Sequence, residues 1–281
     1  MLKSRVITAL ILFPLAVCGI LFLSNDIFAA FVGIIMLFGA YEWAGFAKFP
    51  SLLSKIAYVV IVATTLFSLW LVNFILSADV MNGLAAAFWL LALILVFGYP
   101  GSSNFWSGRP VVIAAMGIFL LVITWYAVIS IHAISTIEFS LIKITGPYLL
   151  LSVLMLIFAA DTGAYFAGKR FGKHKLAPKI SPGKSIEGVI GGLALALSLS
   201  LLFTLWNGGD FQNYLRITGL TIVTVFFSVI GDLLESMFKR QANIKDSSHL
   251  LPGHGGILDR IDSITAAVPV FYIALSLYPL P

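Results

Sequence analysis

The sequence predicts an all-α polytopic membrane protein of about nine transmembrane helices, with a cytoplasmic N-terminus and its catalytic loops on the cytoplasmic face. Three observations carry that prediction. Hydrophobic residues make up 60% of the 281 and charged residues only 10%, with a mean hydropathy of +1.05; a soluble domain carries roughly 25% charged residues. Apolar runs long enough to cross a bilayer recur along the whole chain. The basic residues between them fall almost entirely on alternate loops.

A hydrocarbon core of about 30 Å needs roughly 20 apolar residues of helix. Runs of that length lie at 6–23, 27–47, 56–76, 82–98, 111–133, 147–168, 187–206, 214–235 and 263–279. The first follows Lys3 and Arg5, as a signal peptide would. It is too long for a typical signal core and lacks a small-residue cleavage site, so it is expected to stay as a span. With the N-terminus inside, 15 of the 17 Lys and Arg residues are cytoplasmic and only Lys143 and Arg216 are not. The inverse topology would reverse that ratio, against the positive-inside rule. The same rule accounts for the net charge of +5, so no nucleic-acid partner is expected. Cys18 has no second cysteine with which to form an intrachain disulfide or a thiolate zinc site.

Residues 1–140 form an N-terminal membrane region of five spans, apolar and with short loops. Its one acid within a span, Glu42, lies between Tyr41 and Trp43 near a cytoplasmic end. The aromatics fit an interfacial belt, and the acid fits either that belt or a functional role. Residues 141–281 form a C-terminal catalytic membrane region, spans six to nine with two cytoplasmic loops.

The first of these loops, Lys169 to Ser185, holds six Lys and Arg residues and opens into span seven through Ile186-Glu187-Gly188. Lys184 and Ser185 stand at that helix N-terminus, with Ser181 a turn earlier, where free N–H groups and the dipole favour phosphate. A polyphosphate cradle and a basic patch for anionic head groups both fit. A P-loop does not, because its first glycine would fall on Pro178. Upstream, Asp161 lies within span six, flanked by Thr162 and Tyr165. A carboxylate there costs roughly 2.5–3.5 kcal/mol on insertion scales, so it should face a polar cavity, a cation or a proton path.

The second loop leaves span eight through Asp232, Glu235, Ser236 and Lys239, which share one helical face with Arg240 beside them. It enters span nine through Asp259, Arg260 and Asp262, and the three-residue spacing puts both carboxylates on one side. Mg²⁺ is commonly held by one or two carboxylates plus substrate phosphate and water; Asp232, Asp259 and Asp262 are expected to converge on such an ion. Gly253, Gly255 and Gly256 allow backbone to approach a phosphate, and Lys239, Arg240, Lys245 and Arg260 would balance its charge. The residues alone thus point to a metal-dependent phosphoryl or nucleotidyl transferase at the membrane surface.

Residues 236–262 resemble the signature of the bacterial phosphatidate cytidylyltransferases (CDP-diacylglycerol synthases). All twelve specified positions are filled: Ser236, Lys239, Arg240, Lys245, Asp246, Pro252, His254, Gly255, Gly256, Asp259, Arg260 and Asp262. The Ser181-Pro182-x-Lys184-Ser185-x-Glu187-Gly188 stretch and Asp161 to Tyr165 are also similar to that family.

The resemblance implies that CTP and phosphatidic acid give CDP-diacylglycerol and pyrophosphate, in the bacterial cytoplasmic (inner) membrane, by a homodimer. It implies Asp232, Asp259 and Asp262, with Asp246, as Mg²⁺ ligands, and the number of acids leaves room for a second cation such as K⁺. It further implies Ser181, Lys184, Ser185, Glu187 and Lys239 around CTP and Arg260 at a phosphate, with Gly255 and Gly256 in the nucleotide loop. His254 is expected to touch phosphate or brace the loop, because a phosphate monoester is already anionic near neutral pH and needs no strong base. A CTP-dependent polyprenol or dolichol kinase is the nearest alternative; it would release CDP. A secondary transporter should place its polar residues near the midplane, and a CDP-alcohol phosphotransferase should carry an Asp-Gly-x-x-Ala-Arg run that is absent here.

Overall fold

The computed structural model describes residues 2–71, 77–139, 141–251, 253 and 255–277, with side chains from residue 10 onward. Ten α-helices occupy Leu2–Phe22 (α1), Asn25–Phe46 (α2), Leu52–Leu71 (α3), Ala78–Phe97 (α4), Ser103–Trp106 (α5), Pro110–His132 (α6), Gly146–Phe171 (α7), Ile186–Trp206 (α8), Phe211–Ala242 (α9) and Leu258–Leu277 (α10). Among the described residues eight of these are long and apolar enough to cross a membrane, and α1 adds an apolar stretch over Leu10–Phe22. Within the described residues the nine expected spans therefore each overlap a long helix; residues 72–76 of the third and 278–279 of the ninth lie outside them.

Two antiparallel hairpins sit at opposite ends of α7. Ile137–Phe139 (β1) pairs with Ile142–Ile144 (β2) before it, and Lys175–Ala177 (β3) pairs with Ser181–Ser185 (β4) after it. The basic loop expected after span six is this second hairpin.

Lipid tails are as apolar as leucine, so helix association must come from close packing and interhelical hydrogen bonds. On α8 the buried residues are Gly188, Gly192, Ala196, Ser200 and Thr204, a stripe of small side chains one turn apart. Against it α7 sets Ala160, Gly163, Ala164 and Ala167, and a Cβ on Gly163 would come within 2.6 Å of Gly191 O. Elsewhere Trp125 Nε1 donates to Ala29 O at 2.9 Å, Tyr58 Oη to Ala114 O at 2.9 Å and Thr124 Oγ1 to Thr265 O at 3.0 Å. The centre of the bundle is α6, with 78% of its apolar window buried, against 17% for the peripheral α3.

The two membrane regions share one apolar core, which runs from Ile20 on α1 to Leu275 on α10. Its end nearest the polar loops is an aromatic knot, where the Phe238 ring of α9 lies 5.0 Å from Trp43 of α2 and 4.6 Å from Trp106 of α5. Trp43, expected in an interfacial belt, is buried there and donates to Ile113 O at 2.7 Å, while its neighbour Tyr41 stays on the outer surface. The helix ends on this face come together: Lys48, Ser107, Arg109 and Gln241 line one cleft, and Gln241 Nε2 donates to Ser107 Oγ. The loops expected to carry most of the basic residues thus lie on one face.

Candidate active site

Helix α8 starts at Ser185, whose hydroxyl accepts from Gly188 N at 3.1 Å as an N-cap. Glu187 in its first turn reaches back to the end of α7. Its carboxylate accepts from Lys173 N at 3.1 Å, His174 N at 3.2 Å and His174 Nδ1 at 2.6 Å. Both residues, expected beside CTP, hold the hairpin in place with these bonds. Two links then tie the hairpin to α9. Arg240 Nε donates to Ile180 O at 3.1 Å, and Lys184 Nζ lies 2.5 Å from Asp232 Oδ2. Ser181 begins β4, partly exposed.

Helix α9 continues two turns past the expected end of span eight, carrying Asp232, Glu235, Ser236 and Lys239 on one face. Ser236 Oγ donates to Asp232 Oδ1 at 3.2 Å. Lys239, 7% exposed, lies 3.1 Å from Glu235 Oε1 and donates to Asp259 Oδ1 at 2.7 Å. Glu235 is 4% exposed, and neither of its carboxylate oxygens has an aligned hydrogen-bond donor. The helix stops at Asn243 in the left-handed region, φ 60° and ψ 34°, which asparagine tolerates better than most residues.

The opposing start of α10 is brought in by Gly231. A side chain there would meet Asp262 O and Ala266 Cβ, the latter at 2.8 Å. Asp262, whose Oδ1 accepts from Ser263 N at 2.8 Å, faces the charges of Asp232, Lys239 and Lys184. Asp161 on α7 faces Asp232 and Lys184 as well. The acids at the junction are therefore Asp161, Asp232 and Asp262, with Glu235 alongside.

Asp259 departs from the expected convergence. Its Oδ1 takes Lys239, and its Oδ2 takes Ser247 N at 2.8 Å, Ser247 Oγ at 3.0 Å and Gly256 N at 2.8 Å. It braces the loop, and among the described residues no three acidic, His or Cys side chains are arranged around one cation point. Asp246 is exposed, with its Cβ against Gly255. Gly253 and Gly255 have φ of 77° and 79°, a region open to glycine at little strain. Arg260 is exposed on the first turn of α10, and His254 lies outside the described residues.

The residue that sequence reasoning left undecided is Glu42. It is 2% exposed, and its carboxylate accepts from Ser248 Oγ at 2.5 Å, Ile257 N at 2.9 Å, Ser247 Oγ at 3.0 Å and Leu258 N at 2.8 Å. The available signal was an acid inside an apolar run, with no way to find partners more than 200 positions away.

Residues 3–278 match the cytidylyltransferase family. The chain belongs to that family. It is 44% identical over 271 residues to the phosphatidate cytidylyltransferase of Pseudomonas aeruginosa, covering 96% of each chain. It is 41% identical to the enzyme of that name from Haemophilus influenzae, over 96% of this chain and 97% of the other. With the Bacillus subtilis phosphatidate cytidylyltransferase it shares 46% identity over 127 residues, 44% of this chain and 46% of that one. For a cytidylyltransferase the arrangement is apt: lysines and carboxylates from α7, β4, α9 and α10 meet beside the polar loops.

Proposed function

We propose that this chain is a phosphatidate cytidylyltransferase, joining CTP and phosphatidic acid into CDP-diacylglycerol and releasing pyrophosphate. The observation that carries the reading is the meeting of Lys184, Asp232, Lys239 and Asp262 at the polar ends of membrane-crossing helices. A nucleotide can approach such a place from water while a lipid phosphate approaches from the leaflet. In the reaction an oxygen of the lipid phosphate forms a bond to the α-phosphorus of CTP, and the bond from that phosphorus to the bridging oxygen of pyrophosphate breaks. Lys184 would bind phosphate oxygens and hold them in line, with Lys239 buried behind it against Glu235 and Asp259. The exposed Arg260 would meet a phosphate. The hairpin braced by Ser185 and Glu187 keeps Lys184 aimed at α9.

The donor set fits Mg²⁺. Asp232 and Asp262 adjoin, an ammonium group already stands 2.5 Å from one of them, and Glu235 beside them is buried without an aligned donor. One or two carboxylates with substrate phosphate are the usual Mg²⁺ set. When bound there, Mg²⁺ would supply charge stabilisation to the transferring phosphates. The proposal includes a cytoplasmic N-terminus, the bacterial inner membrane and the homodimer implied by the family.

Purified protein in detergent, given CTP labelled in the cytidine, phosphatidic acid and Mg²⁺, tests it. The expected products are labelled CDP-diacylglycerol and an equal amount of pyrophosphate. Release of CDP with a phosphorylated lipid would instead identify a lipid kinase.

A further inference from the structure

We infer that Glu42, on α2 in the N-terminal membrane region, is a positioning residue for the loop and helix start that carry Asp259, Arg260 and Asp262. The inference rests on the proposed transferase activity and adds a residue that lies outside both polar loops. A carboxylate has about four lone-pair sites, and Glu42 fills all four from one segment. Two bonds come from the hydroxyls of Ser247 and Ser248 and two from the N–H groups of Ile257 and Leu258. The last two belong to the unpaired donors at the start of α10, so an acid from another helix caps it. Gly256 shows how tight the fit is, since a Cβ there would come within 2.5 Å of Glu42 Oε1.

The arrangement reaches the site through Ser247. Its single hydroxyl hydrogen is shared between Glu42 Oε2 and Asp259 Oδ2, each 3.0 Å from Oγ. Asp259 in turn receives Lys239 Nζ at 2.7 Å. Displacing the loop would therefore shift Lys239 and the register of Asp262 together. Burying an unpaired carboxylate in a membrane helix is costly, and this one is kept with partners drawn wholly from the loop it holds.

The test is Glu42→Gln in the full-length protein, read by turnover and by hydrogen exchange. An amide offers one acceptor oxygen, so either flip turns an NH₂ toward Ile257 N or Leu258 N. The expected kcat falls by about 10- to 100-fold, as for other residues that orient a site, with KM for CTP and phosphatidic acid within about threefold. The peptide covering 247–258 should exchange about tenfold faster while peptides from α6 and α8 stay unchanged. Unchanged kcat, lost turnover with a protected loop, or loss of protection across the whole protein would each overturn the inference. Should Glu42→Gln fail to accumulate, the Ser247→Ala, Ser248→Ala double variant is judged by the same outcomes. A wild type that makes no CDP-diacylglycerol would count against the transferase reading alone, since the exchange measurement still tests the hold of Glu42 on the loop.

Discussion

Lys184 Nζ lies 2.5 Å from Asp232 Oδ2, so the hairpin between α7 and α8 delivers an ammonium group onto the acid at the polar end of α9. Each side chain keeps about a quarter of its surface exposed, 24% and 28%, which leaves the pair open to an incoming phosphate. Lys184→Ala should raise the KM for CTP by about 10- to 100-fold, the equivalent of one charge-assisted hydrogen bond, and leave that for phosphatidic acid nearly unchanged. Steady-state kinetics with each substrate varied in turn checks this. A change confined to phosphatidic acid would make the hairpin a lipid-surface patch.

The aspartates should separate by role. Asp232→Asn and Asp262→Asn are expected to lower turnover by more than about 100-fold, as loss of a Mg²⁺ carboxylate does, with thermal unfolding near that of the wild type. Asp259→Asn should lose turnover and also about 3 kcal/mol of stability, because it breaks a buried pair with Lys239 and weakens three loop bonds. Melting curves in detergent beside product assays distinguish the two patterns. EDTA should abolish wild-type activity, and added Mg²⁺ should restore it.

Packing makes a further prediction. Gly192→Val forces a side chain into the Ala160 carbonyl on α7 and should cost about 1–3 kcal/mol. Gly219→Ala on α9 meets nothing within 4 Å and should be neutral or stabilising by up to about 1 kcal/mol. Equal melting temperatures for the two variants would contradict the close approach of α7 and α8.

Topology can be read with single cysteines in a Cys18→Ala background. Probes at Lys173 and Asn243 should react only with reagent on the cytoplasmic side, and a probe at Lys143 only from the other. Labelling of either polar loop from the outer side would detach the site from its nucleotide supply.

The spans were legible because the bilayer sets both a length and a composition, and α2 to α4 and α6 to α10 meet both. The helical continuation of α9 to Lys239 was legible from the polar face it shares with Asp232, but its stop at Ala242, set by Asn243 in the left-handed region, was not. The hairpin of β3 and β4 was not legible, because its strands are short, basic and interrupted by Pro182 and Gly183, and read only as a basic loop. Asp232, Asp262 and Lys184 could be named from helix-end position alone. The bracing parts of Asp259 and Glu42 could not, because each depends on Ser247 arriving from a different element.

The length of α9 bears on how the lipid is handled. At 1.5 Å per residue its 32 residues extend about 48 Å, and Asp232 stands about 32 Å from the Phe211 end. A hydrocarbon core is about 30 Å thick; with Phe211 at its far border, Asp232 would fall at the near one and Lys239, about 10 Å further on, among the head groups. A diacyl substrate anchored in the leaflet already carries its phosphate at that depth. The protein therefore need not lift two acyl chains into water, a transfer that at about 0.8 kcal/mol per CH₂ would amount to on the order of 20 kcal/mol. Under the proposed function, substrate and product would then enter and leave by sideways diffusion in the plane of the bilayer.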